Sequence, residues 1–188
     1  GRMRIGSFSA ASNVTGMLTP VHEIAALLHA HGAIACFDYA ASAPYVDIDM
    51  NPPPGRYPGD ASLDAVFISP HKFIGGPGTP GLLIVRRDVV HNSVPEAVGG
   101  GTVEYVNPEN HFYIADIEHR EEAGTPAIVE SIRAGLVFQL KQAVGADVIR
   151  AHEEDFLRRA IAAWTRHPDI EVLGNPQAER LSIVSFVI

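Results

Sequence analysis

Apolar residues follow two rhythms along this chain. Short unbroken runs at Ala33–Phe37, Leu63–Ile68 and Gly81–Arg86 predict buried strands, and the alternation in Ile5–Ala10 predicts another. Between the first two strands, Val21, Ile24, Ala25 and Leu28 recur at helical spacing. Thr19-Pro20 reads as the start of that helix, with Thr19 as N-cap and Pro20 in the first turn. Gly32 reads as its C-terminal stop. Asn51–Asp60 holds four prolines and two glycines, which predicts a loop. Strand, helix, strand, loop, strand is the order of an α/β layered fold.

The second half has the helical rhythm. Thr125-Pro126 repeats the cap-and-proline opening ahead of Ala127–Ala143, where Ile128, Ile132, Leu136 and Leu140 share a face. Asp147–Arg166 carries Ile149, His152, Phe156, Ala160 and Trp164 at similar intervals, and His167-Pro168 breaks it. Ile170–Leu173 and Leu181–Ile188 read as strands. Both ends of the chain look like strand interiors, which predicts a piece of a longer protein, since an unpaired sheet edge is costly.

Composition narrows the classes. With 188 residues, 46% of them hydrophobic, the chain can bury a core. Its 22 acidic against 14 basic side chains give a net charge of -8, which argues against nucleic-acid or anionic-membrane partners. No apolar stretch is long enough to span a bilayer. The single cysteine, Cys36, excludes an internal disulfide and makes a reducing cytoplasm the expected setting.

The segment richest in chemistry runs from Ser69 to Gly81. A strand delivers Ser69, His71 and Lys72 to its C-terminal edge, where open α/β sheets bind ligands. A lysine desolvated there by Phe73 and Ile74 would lose its proton more readily and could form a Schiff base; the plainer reading is a surface lysine. Asp38 ends another buried strand 34 positions earlier. A carboxylate and an amine facing each other across a ring is the arrangement pyridoxal phosphate needs, the lysine on its aldehyde and the carboxylate on its pyridinium nitrogen.

Five motifs in order carry a resemblance: Ser12-Asn13-x-x-Gly16, Asp38-x-Ala40, Ser69-x-His71-Lys72, Gly99-Gly100-Gly101 and Glu122-Ala123-Gly124-Thr125-Pro126. Together they resemble the class V aminotransferase group of fold-type I pyridoxal phosphate enzymes, which includes cysteine desulfurases, selenocysteine lyases and isopenicillin N epimerase-like proteins. The resemblance implies a three-layer α/β/α fold with a mostly parallel sheet. Residues 1–169 would be the central part of the cofactor-binding large domain, and 170–188 the start of a small domain. It implies that Lys72 carries the cofactor as a Schiff base and shuttles the Cα proton of an amino acid or amine substrate. Asp38 would keep the ring nitrogen protonated, Ala40 would pack on the ring, and Asn13 would bond its phenolic oxygen. Ser69 and His71 would bind the phosphate. Gly124 and Thr125 would reach the phosphate of a neighbouring subunit, making a homodimer the functional unit, with Thr125 doubling as a helix N-cap.

One departure stands out: where desulfurases and lyases of the group usually carry Gln or His three residues after the aspartate, this chain has Ala41. Cys36, inside a buried strand, reads as an inert packed thiol. His29 and His31 read as solvated histidines at a helix end and no metal site is expected. Gly75–Gly81 lacks the Gly-Lys-Ser/Thr ending of a nucleotide loop. Glu118–Glu122 reads as a solvated charge run. A catalytically silent homologue, acting as a binding or scaffold protein, is the other reading, although it has no reason to keep both Lys72 and Asp38.

Overall fold

The computed structural model describes residues 2–188. Its main sheet has the order β1 (Ile5–Ser9), β2 (Ile34–Asp38), β3 (Ala65–Ile68), β4 (Leu82–Val85). β1, β2 and β3 run parallel, and β4 closes the sheet antiparallel to β3. Helix α1 (Val21–Ala30) is the crossover between the two first strands. This is an α/β fold with a mostly parallel sheet.

The register shows which face is buried. Gly6, Ala35, Phe37, Val66, Ile68 and Ile84 share one side of the sheet, because paired residues face alike and neighbours alternate. There Ala35, Phe37, Val66 and Ile68 join Ala25 of α1 in the core, together with Phe73 and with Val137 of helix α3 (Ile128–Val144). Gly6 permits close approach by α1: a Cβ there would come within 2.6 Å of the Leu28 methyls. The opposite side exposes Ile5, Phe67 and Leu83. The reading of Gly81–Arg86 as a buried strand is therefore corrected, since Leu83 and Ile84 of β4 are both exposed. In this chain the helices of the core cover one face of the sheet.

Neither threonine read as a cap is one. α1 begins at Val21, and the Thr19 hydroxyl instead donates to the Ser9 carbonyl at 2.7 Å, fastening the chain to the end of β1. α3 begins at Ile128 with Ala127 in the cap position, leaving Thr125 outside the helix. The stop at Gly32 does form. Its φ of +64° lets the Ala33 N–H return to the Leu28 carbonyl at 2.9 Å.

After β4 comes a hairpin, β5 (Val103–Val106) with β6 (His111–Tyr113), then a short helix α2 (Ile117–Glu121). The charge run read as solvated is this helix. Its Arg120 is buried and donates to the Asn92 carbonyl at 2.7 Å. On α3 the expected apolar face, Ile128, Ile132, Leu136 and Leu140, is exposed, while Ala134 and Val137 face the core. Helix α4 (Ala146–Trp164) follows. The two terminal strands are shorter than expected: β7 (Glu171–Val172) pairs antiparallel with β8 (Phe186–Val187). The segment between them is held to the first turn, where Leu181 N–H donates to Gly16 O at 2.9 Å. Among the described residues no helix is long and apolar enough to cross a membrane.

Candidate active site

Three consecutive parallel strands end at the same edge, and the sequence puts a polar group after each. β1 pairs Ser9 with Asp38, and β2 pairs Asp38 with Phe67, so the segments leaving these strands emerge side by side. From β1 the chain enters a tight turn in which Ser12 Oγ accepts from the Val14 and Thr15 amides at 3.2 and 3.1 Å. Gly16 closes it at φ +74°, and a Cβ there would lie 2.4 Å from the Ile183 carbonyl. Asn13 is exposed in this turn.

Asp38, the last residue of β2, is exposed. One carboxylate oxygen accepts from the Ala40 amide at 2.7 Å, fixing the following turn and leaving the other oxygen for a ligand. Tyr39 points the other way and is buried. Burial, with Asp49 and Tyr57 nearby, pushes its phenol up to about 12, so it stays protonated.

After β3 the chain makes a 3-10 turn over Pro70–Lys72, the Lys72 amide donating to Ser69 O at 3.0 Å. Ser69 is half-buried, while His71 and Lys72 are exposed. Phe73 anchors the turn in the core beside Phe138, ring centroids 4.9 Å apart. Lys72 is thus held by its backbone, not enclosed. The expected apolar enclosure is not formed, because Ile74 is itself exposed and only Phe73 turns inward. Gly76 closes the loop against the Pro70 carbonyl, only 1.9 Å from where a Cβ would sit.

The structure therefore brings Asn13, Asp38, Ala40, Ser69, His71 and Lys72 to one sheet edge. The segments leaving these strands thus carry an amide, a carboxylate, a hydroxyl, an imidazole and an amine at one edge, groups of the kind that suit a ligand with an aldehyde, a ring nitrogen and a phosphate. Gly124 and Thr125 belong to another segment. The Gly124 amide donates to Gly100 O at 2.8 Å, so the Gly99–Gly101 and Glu122–Pro126 motifs meet each other. Both residues are exposed.

The opposite edge of the sheet holds a network that sequence reasoning missed. Asp64, just before β3, is buried, and its carboxylate accepts from the Ala35 amide at 2.7 Å, His29 Nε2 at 2.8 Å and Arg86 Nη1 at 3.1 Å. His29 Nδ1 lies 2.8 Å from the Asp60 carbonyl. His29 is therefore not the solvated histidine expected from its place at the helix end. Both ring nitrogens face acceptors, which only the imidazolium satisfies. Burial works against its charge, but the bonds to Asp64 and the Asp60 carbonyl, with the two carboxylates nearby, raise its pKa above the usual 6.5. An aspartate inside the apolar run from Leu63 was the available signal for Asp64, but nothing local marked His29 as its partner. Cys36 is buried beside this network, and burial followed by the Asp64 charge pushes its thiol up.

The sequence matches the model of the class V aminotransferase family over residues 1–188. This chain belongs to that family. Among class V relatives, the probable cysteine desulfurase 2 of Mycobacterium leprae is 30% identical over 188 residues, all of this chain and 43% of the relative. The structure of the cysteine desulfurase CsdA from Escherichia coli superposes with a TM-score of 0.80 at 20% identity, covering 97% of this chain and 43% of that one. A C-DES mutant with glycine covalently linked to its PLP cofactor superposes with a TM-score of 0.74 at 23% identity, covering 97% and 46%. The class V chain described here thus spans less than half the length of the relatives it matches.

Proposed function

We propose that the protein carrying this chain is a pyridoxal-phosphate-dependent enzyme that acts on an amino acid, with the cofactor on Lys72. The observation that supports this most is the pairing of Lys72 and Asp38, delivered by adjacent parallel strands to one edge with both side chains open to a ligand. Bound there, the cofactor supplies an electron sink for bond breaking at the substrate Cα. Asp38 would sit against the ring nitrogen and favour its protonated form by opposite charge. Ala40 would offer a small apolar contact to the ring, and the Asn13 amide would donate to the ring oxygen. Ser69 and His71 would hold the phosphate, with Gly124 and Thr125 of a second copy completing it, which would make a homodimer the working unit. The Lys72 amine would take the proton from the substrate Cα and return it.

The names of the relatives make L-cysteine the first substrate to test. Ala41 leaves no polar side chain beside Ala40 to assist Asn13, so Asn13 bears that contact alone. The reducing cytoplasm is the proposed setting. The test is exchange of the Cα proton into deuterated water by the whole protein with cofactor. Wild type should exchange the Cα proton of L-cysteine or L-alanine, and Lys72→Ala should not. Equal exchange by both would remove Lys72 from the mechanism.

A further inference from the structure

Helix α3 touches both halves of the candidate site. Arg133 donates to the Pro77 carbonyl, in the loop after Lys72, at 2.9 Å. One turn later Val137 and Phe138 pack around Phe73, beside Lys72. One further turn on, Lys141 Nζ donates to the Ala43 carbonyl at 2.8 Å and to the Val46 carbonyl. Those two carbonyls close the turn that Asp38 opens. At its start Asp38 accepts from Ala40 N–H and the Tyr39 amide donates to Phe67 O at 2.8 Å. Inside it the Ala43 amide donates to Tyr39 O at 2.8 Å. The turn is thus tied at one end by the Asp38 carboxylate and at the other by the Lys141 ammonium.

Lys141 has no salt-bridge partner among the described residues. Its side chain is half-buried, and burial pushes its pKa down, with the Asp47 charge acting in the other direction. Withdrawing an ammonium from water without a carboxylate against it is costly. What the position gains is two carbonyl contacts on the Asp38 turn. Lys72 and Lys141 also line the same cavity of about 160 Å³, together with Tyr45, Phe73 and Val137.

We propose that Lys141 is a positioning residue, which locks the 39–46 turn to α3 and thereby sets Asp38 relative to Lys72. The proposal rests on the reading of Asp38 and Lys72 as the cofactor-binding pair. It is tested in the whole protein with Lys141→Met, which keeps the apolar stem, Lys141→Arg, which keeps the charge, and Lys141→Gln, which serves if the methionine variant does not fold. In cofactor-free protein, Lys141→Met should raise amide exchange over residues 39–46 by about tenfold while leaving α1 unchanged. With cofactor, it should shift the pH midpoint of the visible cofactor band. It should also lower kcat by about tenfold with KM within about twofold, and Lys141→Arg should restore all three. Unchanged exchange over 39–46 overturns the brace. Faster exchange with an unmoved pH midpoint and kcat overturns the positioning role, leaving a structural contact only. A wild type that binds no cofactor overturns the underlying pair instead, and the positioning claim falls with it.

Discussion

The two edges of the main sheet handle charge in opposite ways. At the edge where β3 begins, Asp64 is buried at 4% exposure with three donors on its carboxylate, and His29 and Arg86 are oriented by it. At the edge where β1, β2 and β3 end, Asp38 and Lys72 are exposed, and among the described residues the Asp38 carboxylate keeps only the Ala40 amide. The first arrangement spends its hydrogen-bonding capacity internally and can only hold the fold. The second holds the backbone through Phe73, Gly76 and the Ala40 amide while leaving side-chain groups for something else. Charge saturated by partners within the fold holds structure, whereas charge left exposed on a fixed backbone is free to meet a ligand.

Substitutions at the two edges should separate accordingly. The largest effect is expected for Lys72→Ala, which removes a positioned proton carrier. Cα proton exchange should fall by at least about a thousandfold with little change in melting temperature. Next, Asp38→Asn keeps the size and one hydrogen bond but removes the charge from the ring nitrogen. It should retain the cofactor yet slow Cα exchange by about a hundredfold, about 2.7 kcal/mol in the barrier. A rate equal to wild type would make Asp38 merely the cap of its own turn.

At the other edge the readouts exchange places. Asp64→Asn weakens charge-assisted bonds to His29 and Arg86 and should cost about 2 kcal/mol of stability, measured by urea unfolding, with the cofactor band unchanged. His29→Gln should have the smallest effect, about 1 kcal/mol, and it should depend on pH. The folded His29 pKa lies above the unfolded value of 6.5, so its stabilising contribution is complete below pH 6.5 and is lost as pH rises through the folded value. The gap in melting temperature between wild type and His29→Gln should therefore be widest in acid and close on the alkaline side. A gap that widens with pH would mean that His29 works as the neutral ring.

The strands and the edge residues were legible because both rest on local pattern. An apolar run followed by a polar residue is visible at Phe37-Asp38 and at Ile68-Ser69, and a parallel sheet needs no more than that to bring them together. The Thr-Pro pairs misled because a threonine before a helix can bond either the helix or whatever lies behind it. For Thr19 the free carbonyl of Ser9 was nearer. His29 and Lys141 were unreadable for a different reason. Their partners lie 35 and 98 positions away, and nothing local distinguishes a histidine or lysine on a helix that meets a distant acceptor from one that meets water. The α3 stripe shows the limit of periodicity, which locates an apolar face without saying what covers it.

The central claim is that Lys72 is the residue to which the cofactor attaches, and borohydride reduction tests it most directly. The whole protein, loaded with pyridoxal phosphate and reduced, would be digested and its lysine-containing peptides mapped by mass. The account predicts a pyridoxyl group on Lys72 and its absence from the Lys72→Ala variant. A pyridoxyl group on another lysine, with Lys72→Ala still exchanging the Cα proton at the wild-type rate, would contradict it.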